Sequence, residues 1–203
     1  MILKLTKTEL RLQQLKLQQL RKYLPTLQLK KALLQIEVNQ VSAFIALLQC
    51  QFVAQEEKIA RYSALFSEKN ASDLFAAVKI QEVKKEIENI AGIDVPIFRD
   101  LVFEKSSFFL FDSPVWIELG IFDVKELMVV REKMRLAHQK RQALEKELRD
   151  VSIRVNLFEK IMIPRALGNI KKIKIFLGDQ QLTAVSQAKV AKKKILLRKK
   201  KSV

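Results

Sequence analysis

Val151-Ser-Ile-Arg-Val-Asn-Leu-Phe-Glu-Lys-Ile-Met-Ile-Pro-Arg165 is the most informative stretch of this chain. Its apolar residues continue a pattern begun at Leu127, which reads Leu127, Val130, Met134, Ala137, Arg141, Leu144, Leu148, Val151, Val155, Phe158 and Met162. The steps alternate between three and four, and only Arg141 is not apolar. A period of about 3.5 residues is the mark of one helix laid along another. At Pro164 the seam slips by one residue. It resumes as Ala166, Ile170, Ile173 and Leu177, with weaker support from Ala184, Ala188, Ala191 and Ile195. An insertion of this kind changes the supercoil locally, and the proline marks the place.

A second seam lies in the first third of the chain. It reads Leu20, Leu24, Leu27, Lys31, Leu34, Val38, Val41, Ile45, Leu48, Phe52, Gln55, Ile59, Tyr62 and Phe66. No glycine occurs before Gly92, and good helix formers dominate. Pro25 sits inside this pattern without breaking its phase, which predicts a kink in one helix. Two helices joined at Leu24 are the alternative. Periodicity fades after Phe66, and Ser67 to Asp73 reads as a helix end and restart.

Residues 74–122 have another texture. They hold two of the four glycines and two of the four prolines, with many β-branched and aromatic residues. The turn at Gly92 beside alternating Ile93, Val95 and Ile97 predicts a strand, which Pro96 restricts to an edge. Phe108-Phe-Leu-Phe111 is an apolar cluster, and Asp112-Ser-Pro114 reads as a turn or helix cap.

The predicted organisation is a long N-terminal helix over 1–72, an insert of short strands and turns over 73–122, a long C-terminal helix over 123–197 and a basic tail over 198–203, disordered beyond about Leu197. The fold class is all-α dominated. Two very long helices form an antiparallel left-handed coiled coil, with a small mixed insert, a short β-hairpin or strands plus a short helix, at the turn end. Continuous helices would pair where position numbers sum to about 190. That register sets Pro25 level with Pro164.

Charge is placed at the ends. Residues 1–36 carry eight Lys/Arg against Glu9, or +7, and residues 165–203 carry twelve against Asp179, or +11. The remainder of the +16 total is −2 over 37–164. An antiparallel pair brings both basic ends together. No apolar run approaches the 18 residues that span a bilayer, so no membrane insertion is expected. The single Cys50 forms no internal disulfide and is expected to be inert and partly buried.

The sequence offers little catalytic chemistry. Its glycines fit neither nucleotide fingerprint, and one histidine with one cysteine makes no zinc site. His138 reads as a solvated helix position. Acid pairs such as Glu56-Glu57 and Glu145/Glu147 read as ordinary surface patterns. No cofactor or metal is expected.

Arg154-Val-Asn156, Glu159, Ile163-Pro-Arg165 and the spaced Ile170, Ile173 and Leu177 resemble the C-terminal signature of the D subunit of V-type and A-type ATPases and ATP synthases. Leu5-Thr-Lys7, Leu29-Lys-Lys-Ala-Leu-Leu34 and Asn89-Ile-Ala-Gly-Ile93 with Pro96 extend the resemblance over nearly the whole chain. Leu157-Phe158, Gly168 and Gly178-Asp-Gln-Gln181 depart from the usual pattern.

The resemblance implies a central rotor shaft that is not itself an enzyme and binds no nucleotide. It would couple ATP turnover in the catalytic hexamer to rotation of the membrane ring and ion transport. Implied partners are the catalytic A and regulatory B subunits, the small F subunit and a C/d-type connector. The implied location is cytoplasmic and peripheral, within a membrane-bound complex. Arg154, Arg165, Lys171, Lys172 and Lys174 are the candidate hexamer contacts. Asn156, Glu159, Pro164 and Pro25 are read as structural, with Asn156 and Glu159 packing the kinked region. Gly92 and Pro96 form the insert turn. The alternative is a basic coiled-coil binder of nucleic acid, or an adaptor.

Overall fold

A computed structural model describes residues 3–67, 77–104, 114 and 116–201. Helix α1 spans Lys7–Ala60 and a 3-10 helix follows at Ser63–Ser67. Strands β1 (Ile80–Ile90) and β2 (Ile93–Phe103) form an antiparallel pair. Helix α2 (Trp116–Asn156) leads through a π-helical turn, Leu157–Met162, into α3 (Ile163–Lys201). The expected features at Ser67–Asp73, Phe108–Phe111 and Asp112–Ser113 fall wholly or mainly outside the described residues.

Local chemistry explains where α1 begins. The Glu9 backbone N–H donates to the Thr6 hydroxyl oxygen at 3.3 Å, and the Glu9 carboxylate accepts from the Gln13 amide at 2.9 Å. Thr6 is therefore an N-cap, with an acid in the first turn facing the positive end of the helix dipole. Pro25 lies inside one uninterrupted helix, so the two-helix alternative is not what the chain adopts.

The chain forms two compact units: Met1–Leu29 with Val151–Val203, and Lys30–Asp150. In the second unit α1 and α2 run antiparallel. Lys30 pairs with Glu147, Gln55 with Glu126 and Lys58 with Asp123, so one number falls as the other rises. The seam between the two helices is apolar, and Leu34, Ile45, Leu48 and Leu144 are almost fully buried.

The insert sits on this helix pair. Ala77, Val78, Ile117 and Ile121 form a buried cluster with Phe66, Phe103 and Trp116 against it. The hairpin turns at Ala91 (φ 52°) and Gly92 (φ 84°), and Ile90 faces Ile93. Two successive left-handed residues give the turn whose twist matches paired strands. The Asn89 side chain supports it, accepting from the Gly92 N–H at 3.1 Å and donating to Asp94 at 2.6 Å. Pro96, expected in the insert turn with Gly92, lies instead inside β2 opposite Ile87, in a sheet of two strands, both edges. Val95 and Leu101 are buried, Lys140 reaches Glu88 at 3.3 Å, and Lys133 lies over the Phe98 ring at 5.5 Å. The hairpin is thereby fastened along α2.

In the first unit the start of α1 lines one groove with the π turn and α3. Leu3, Glu9, Gln13 and Lys16 face Leu157, Ile161, Met162, Arg165 and Asn169. Ala166 also lines it, and the buried apolar residues of this unit are Leu20, Val151, Val155, Ala166, Ile170 and Ile173.

The structure corrects five expectations. The paired positions sum to 177 for Lys30 with Glu147 and to 181 for Lys58 with Asp123, not to 190. Pro164 and Pro25 therefore do not share a level; Met162 and Arg165 share a groove with Gln13 and Lys16 instead. The basic tail is not an irregular end, since α3 continues to Lys201. Lysine and leucine are good helix formers, and positive charge suits a helix C-terminus. Cys50 is exposed, because it lies on the side of α1 away from the seam. Finally, α1 does hold an 18-residue window long and apolar enough to cross a membrane by composition. Seam residues such as Val41, Ile45 and Leu48 supply part of that apolarity and are buried against α2.

Candidate functional site

The stretch from Val151 to Arg165 folds as the end of α2, the π turn and the start of α3. Pro164 has no N–H to offer the carbonyl four residues back, and its ring would collide with that carbonyl in a regular helix. The wider turn accommodates this. The Ile163 N–H donates to the Phe158 carbonyl, five residues earlier, in place of the usual four. A π turn adds one residue to a helix. That extra residue is the physical form of the one-step slip in the seam. It lets Val151 and Val155 before it, and Ala166, Ile170 and Ile173 after it, all face inward.

The five candidate contact residues, Arg154, Arg165, Lys171, Lys172 and Lys174, are all exposed. Among the described residues none of them joins an ion pair, so their charges are available to a partner. Arg165 and Lys172, seven apart, lie on one side of the Ala166–Ile170–Ile173 seam. Lys171 and Lys174, three apart, lie on the other. Ile153, Leu157 and Ile161 add exposed apolar surface to the same stretch.

Asn156 and Glu159 require correction. Both are exposed, and Asn156 makes no side-chain cap to the π turn. They do not pack the bend, because the inward positions there belong to Val155, Phe158 and Met162. Gly92 holds the insert turn through its positive φ, and a side chain there would meet nothing within 4 Å.

From Asp179 to Leu197, α3 has no cover among the described residues. Every residue from Asp179 to Leu197 is exposed, including Leu182, Val185, Val190, Ile195, Leu196 and Leu197. The weaker seam positions Ala184, Ala188, Ala191 and Ile195 therefore pack against nothing among the described residues. Four lysines, Lys189, Lys192, Lys193 and Lys194, stand on the same solvent-facing segment.

Sequence reasoning overlooked one polar centre. Asp123 is fully buried, and its carboxylate accepts from the Lys58 ammonium at 2.7 Å and the Tyr62 hydroxyl at 2.6 Å. Burial pushes the Asp123 carboxyl up, but the Lys58 and Tyr62 hydrogen bonds with the Lys58 charge outweigh it and hold it below the usual range. Burial, and then the Asp123 bond and charge, push the Tyr62 hydroxyl well up. A signal did exist: Asp123 is one seam step before Leu127, an acid where an apolar residue belongs. No group of three or more His, Cys, Asp or Glu among the described residues could hold a metal ion.

Two long antiparallel helices, a hairpin insert and a basic, uncovered C-terminal helix define a helix-paired assembly component. The family model for the ATP synthase D subunit matches residues 9–193. The V-type ATP synthase D subunit of Chlamydia caviae is 45% identical over 202 residues, covering 98% of this chain and 97% of its own. Those of Chlamydia felis, at 45% with the same coverage, and Chlamydia trachomatis serovar L2, at 40% over 95% of this chain and 96% of its own, are also similar. The chain belongs to the ATP synthase D-subunit family. It is accordingly a stalk subunit of a V/A-type ATP synthase, and the basic nucleic-acid binder or adaptor is not favoured.

Proposed function

We propose that this chain is the rotating central shaft of that complex, coupling ATP turnover in a hexamer of catalytic A and regulatory B subunits to rotation of a membrane ring. The chain contributes no catalytic residue. It sits on the cytoplasmic side, peripheral to the membrane, with the F subunit alongside it and a C/d-type connector below.

The bare end of α3 carries this reading: from Asp179 to Leu197 it is a single helix exposed at every position. An isolated helix in water is marginal, and tertiary cover normally supplies its stability. Six large apolar residues and four lysines left in solvent call for an enclosing sleeve with both apolar and acidic walls. The exposed Arg154, Arg165, Lys171, Lys172 and Lys174 extend the same basic surface down to the π turn, where moving, screened contacts suit a turning part.

The test is native mass spectrometry of the full chain with its A, B and F subunits, in the presence of excess duplex DNA. One copy per hexamer, indifferent to DNA, is the expected result. The triple reversal K171E/K172E/K174E should weaken retention in the hexamer at least tenfold and make it less salt-sensitive. Unchanged assembly and ATP turnover would remove these lysines from the contact. A DNA-bound or self-dimerised chain without hexamer would overturn the shaft itself.

A further inference from the structure

An apolar heptad seam holds two helices together without fixing where along each other they sit. Sliding by seven residues, about 10 Å, sets apolar residues against apolar residues again. Among the described residues, direct polar contacts across the α1–α2 seam include one near its middle and a group at one end. Lys30 with Glu147 is a partly exposed pair. The others gather at one end, where Gln55 donates to Glu126 at 2.9 Å and both Lys58 and Tyr62 donate to Asp123.

We infer that Asp123, with Lys58 and Tyr62, is the device that sets the axial register of α1 on α2. Three features support it. The Asp123 side chain is 0% exposed, so a slip of seven would take its charge from the Lys58 ammonium to the neutral Gln51 and Gln55 in one direction, or past the end of α1 at Ala60 in the other. Each carboxylate oxygen has its own donor, Lys58 on one and Tyr62 on the other, so the site is matched to one alignment. The cluster also adjoins the insert: Tyr62 meets Phe66 edge-on at 5.7 Å, and Phe66 meets Trp116 at 6.0 Å. Fixing a register is the best-attested use of a buried polar group in a helical seam. This register lock depends on the fold alone and holds whichever subunits bind.

The experiment measures register directly in the full-length chain. The exposed Cys50 takes one spin label, and Arg149→Cys, also exposed, takes the second. They lie about 30 Å apart along the helix axis in the observed register, and a heptad slip moves this by about 10 Å either way. The parent should give one distance. Asp123→Leu removes the lock while keeping an apolar seam position, and is expected to add a second population displaced by about 10 Å. The triple variant K58M/Y62F/D123L replaces the whole cluster by apolar groups, and is expected to fold and slip likewise. A single native distance in either folded variant overturns the inference. So does loss of helix in both, because the cluster would then carry the fold itself and not its register.

Discussion

Removing Lys58 should destabilise the protein more than removing Asp123, although the two form one ion pair. The asymmetry follows from exposure: the Asp123 side chain is 0% exposed and that of Lys58 is 50% exposed. Lys58→Met leaves a buried carboxylate with only the Tyr62 hydrogen bond. Breaking a fully buried pair costs about 3–5 kcal/mol. Solvent screening at the half-exposed lysine lowers this to about 2–3 kcal/mol. Asp123→Asn leaves Lys58 free to turn into water and removes one charge-assisted bond, a cost of about 1 kcal/mol. For a chain of this size about 2–4 °C in Tm corresponds to each kcal/mol. The expected losses are therefore about 5–10 °C for Lys58→Met and about 2–4 °C for Asp123→Asn.

Acid separates the two further. In the parent the Asp123 carboxyl is held low, so its contribution is present above the ordinary carboxylate pKa of about 3.9 and is lost as pH falls through the folded value. In Lys58→Met the opposing burial is left in command, and the carboxyl rises. Protonation then relieves the variant, so its deficit against the parent should be smaller at acidic than at neutral pH. Chemical denaturation followed by circular dichroism at both pH values reads this. An Asp123→Asn cost equal to or above that of Lys58→Met, or a deficit independent of pH, would contradict this account of the pair.

Further outcomes follow from single residues. Ile173 is fully buried, and Ile173→Ala should cost about 2–5 kcal/mol, read as a lower denaturant midpoint. Gly92→Val meets open space but holds a positive φ, so it should cost about 1–2 kcal/mol from backbone strain alone. Faster hydrogen exchange confined to β1 and β2 would show it. Ala91→Gly relieves the other left-handed position and should slow that exchange. Pro25→Ala restores a helix hydrogen bond to an uninterrupted helix and should raise stability by about 1–3 kcal/mol in thermal unfolding.

The two helical seams were legible because few arrangements besides paired helices produce a 3.5-residue apolar period. All fourteen positions from Leu20 to Phe66 are buried or half-buried, as are those from Leu127 to Leu177. The one-residue slip was also legible, but not its form as a π turn. The hairpin was half legible. Ile93, Val95 and Ile97 alternate as a strand should, whereas Ile80, Val83, Ile87 and Ile90 in β1 are spaced as on a helix. What makes β1 a strand is its pairing with β2 across the Ala91-Gly92 turn.

The paired helices, the insert between them, the basic ends and the family were all written in the order of residues, because periodicity, charge and motifs are local properties of a chain. The register was not, since an apolar seam reads the same after a slip of seven and the polar partners across it choose among alignments. Folding in three dimensions was needed to bury Asp123 beneath Lys58 and Tyr62. It also left the end of α3 bare, because whether an apolar residue finds cover depends on where the opposite helix stops.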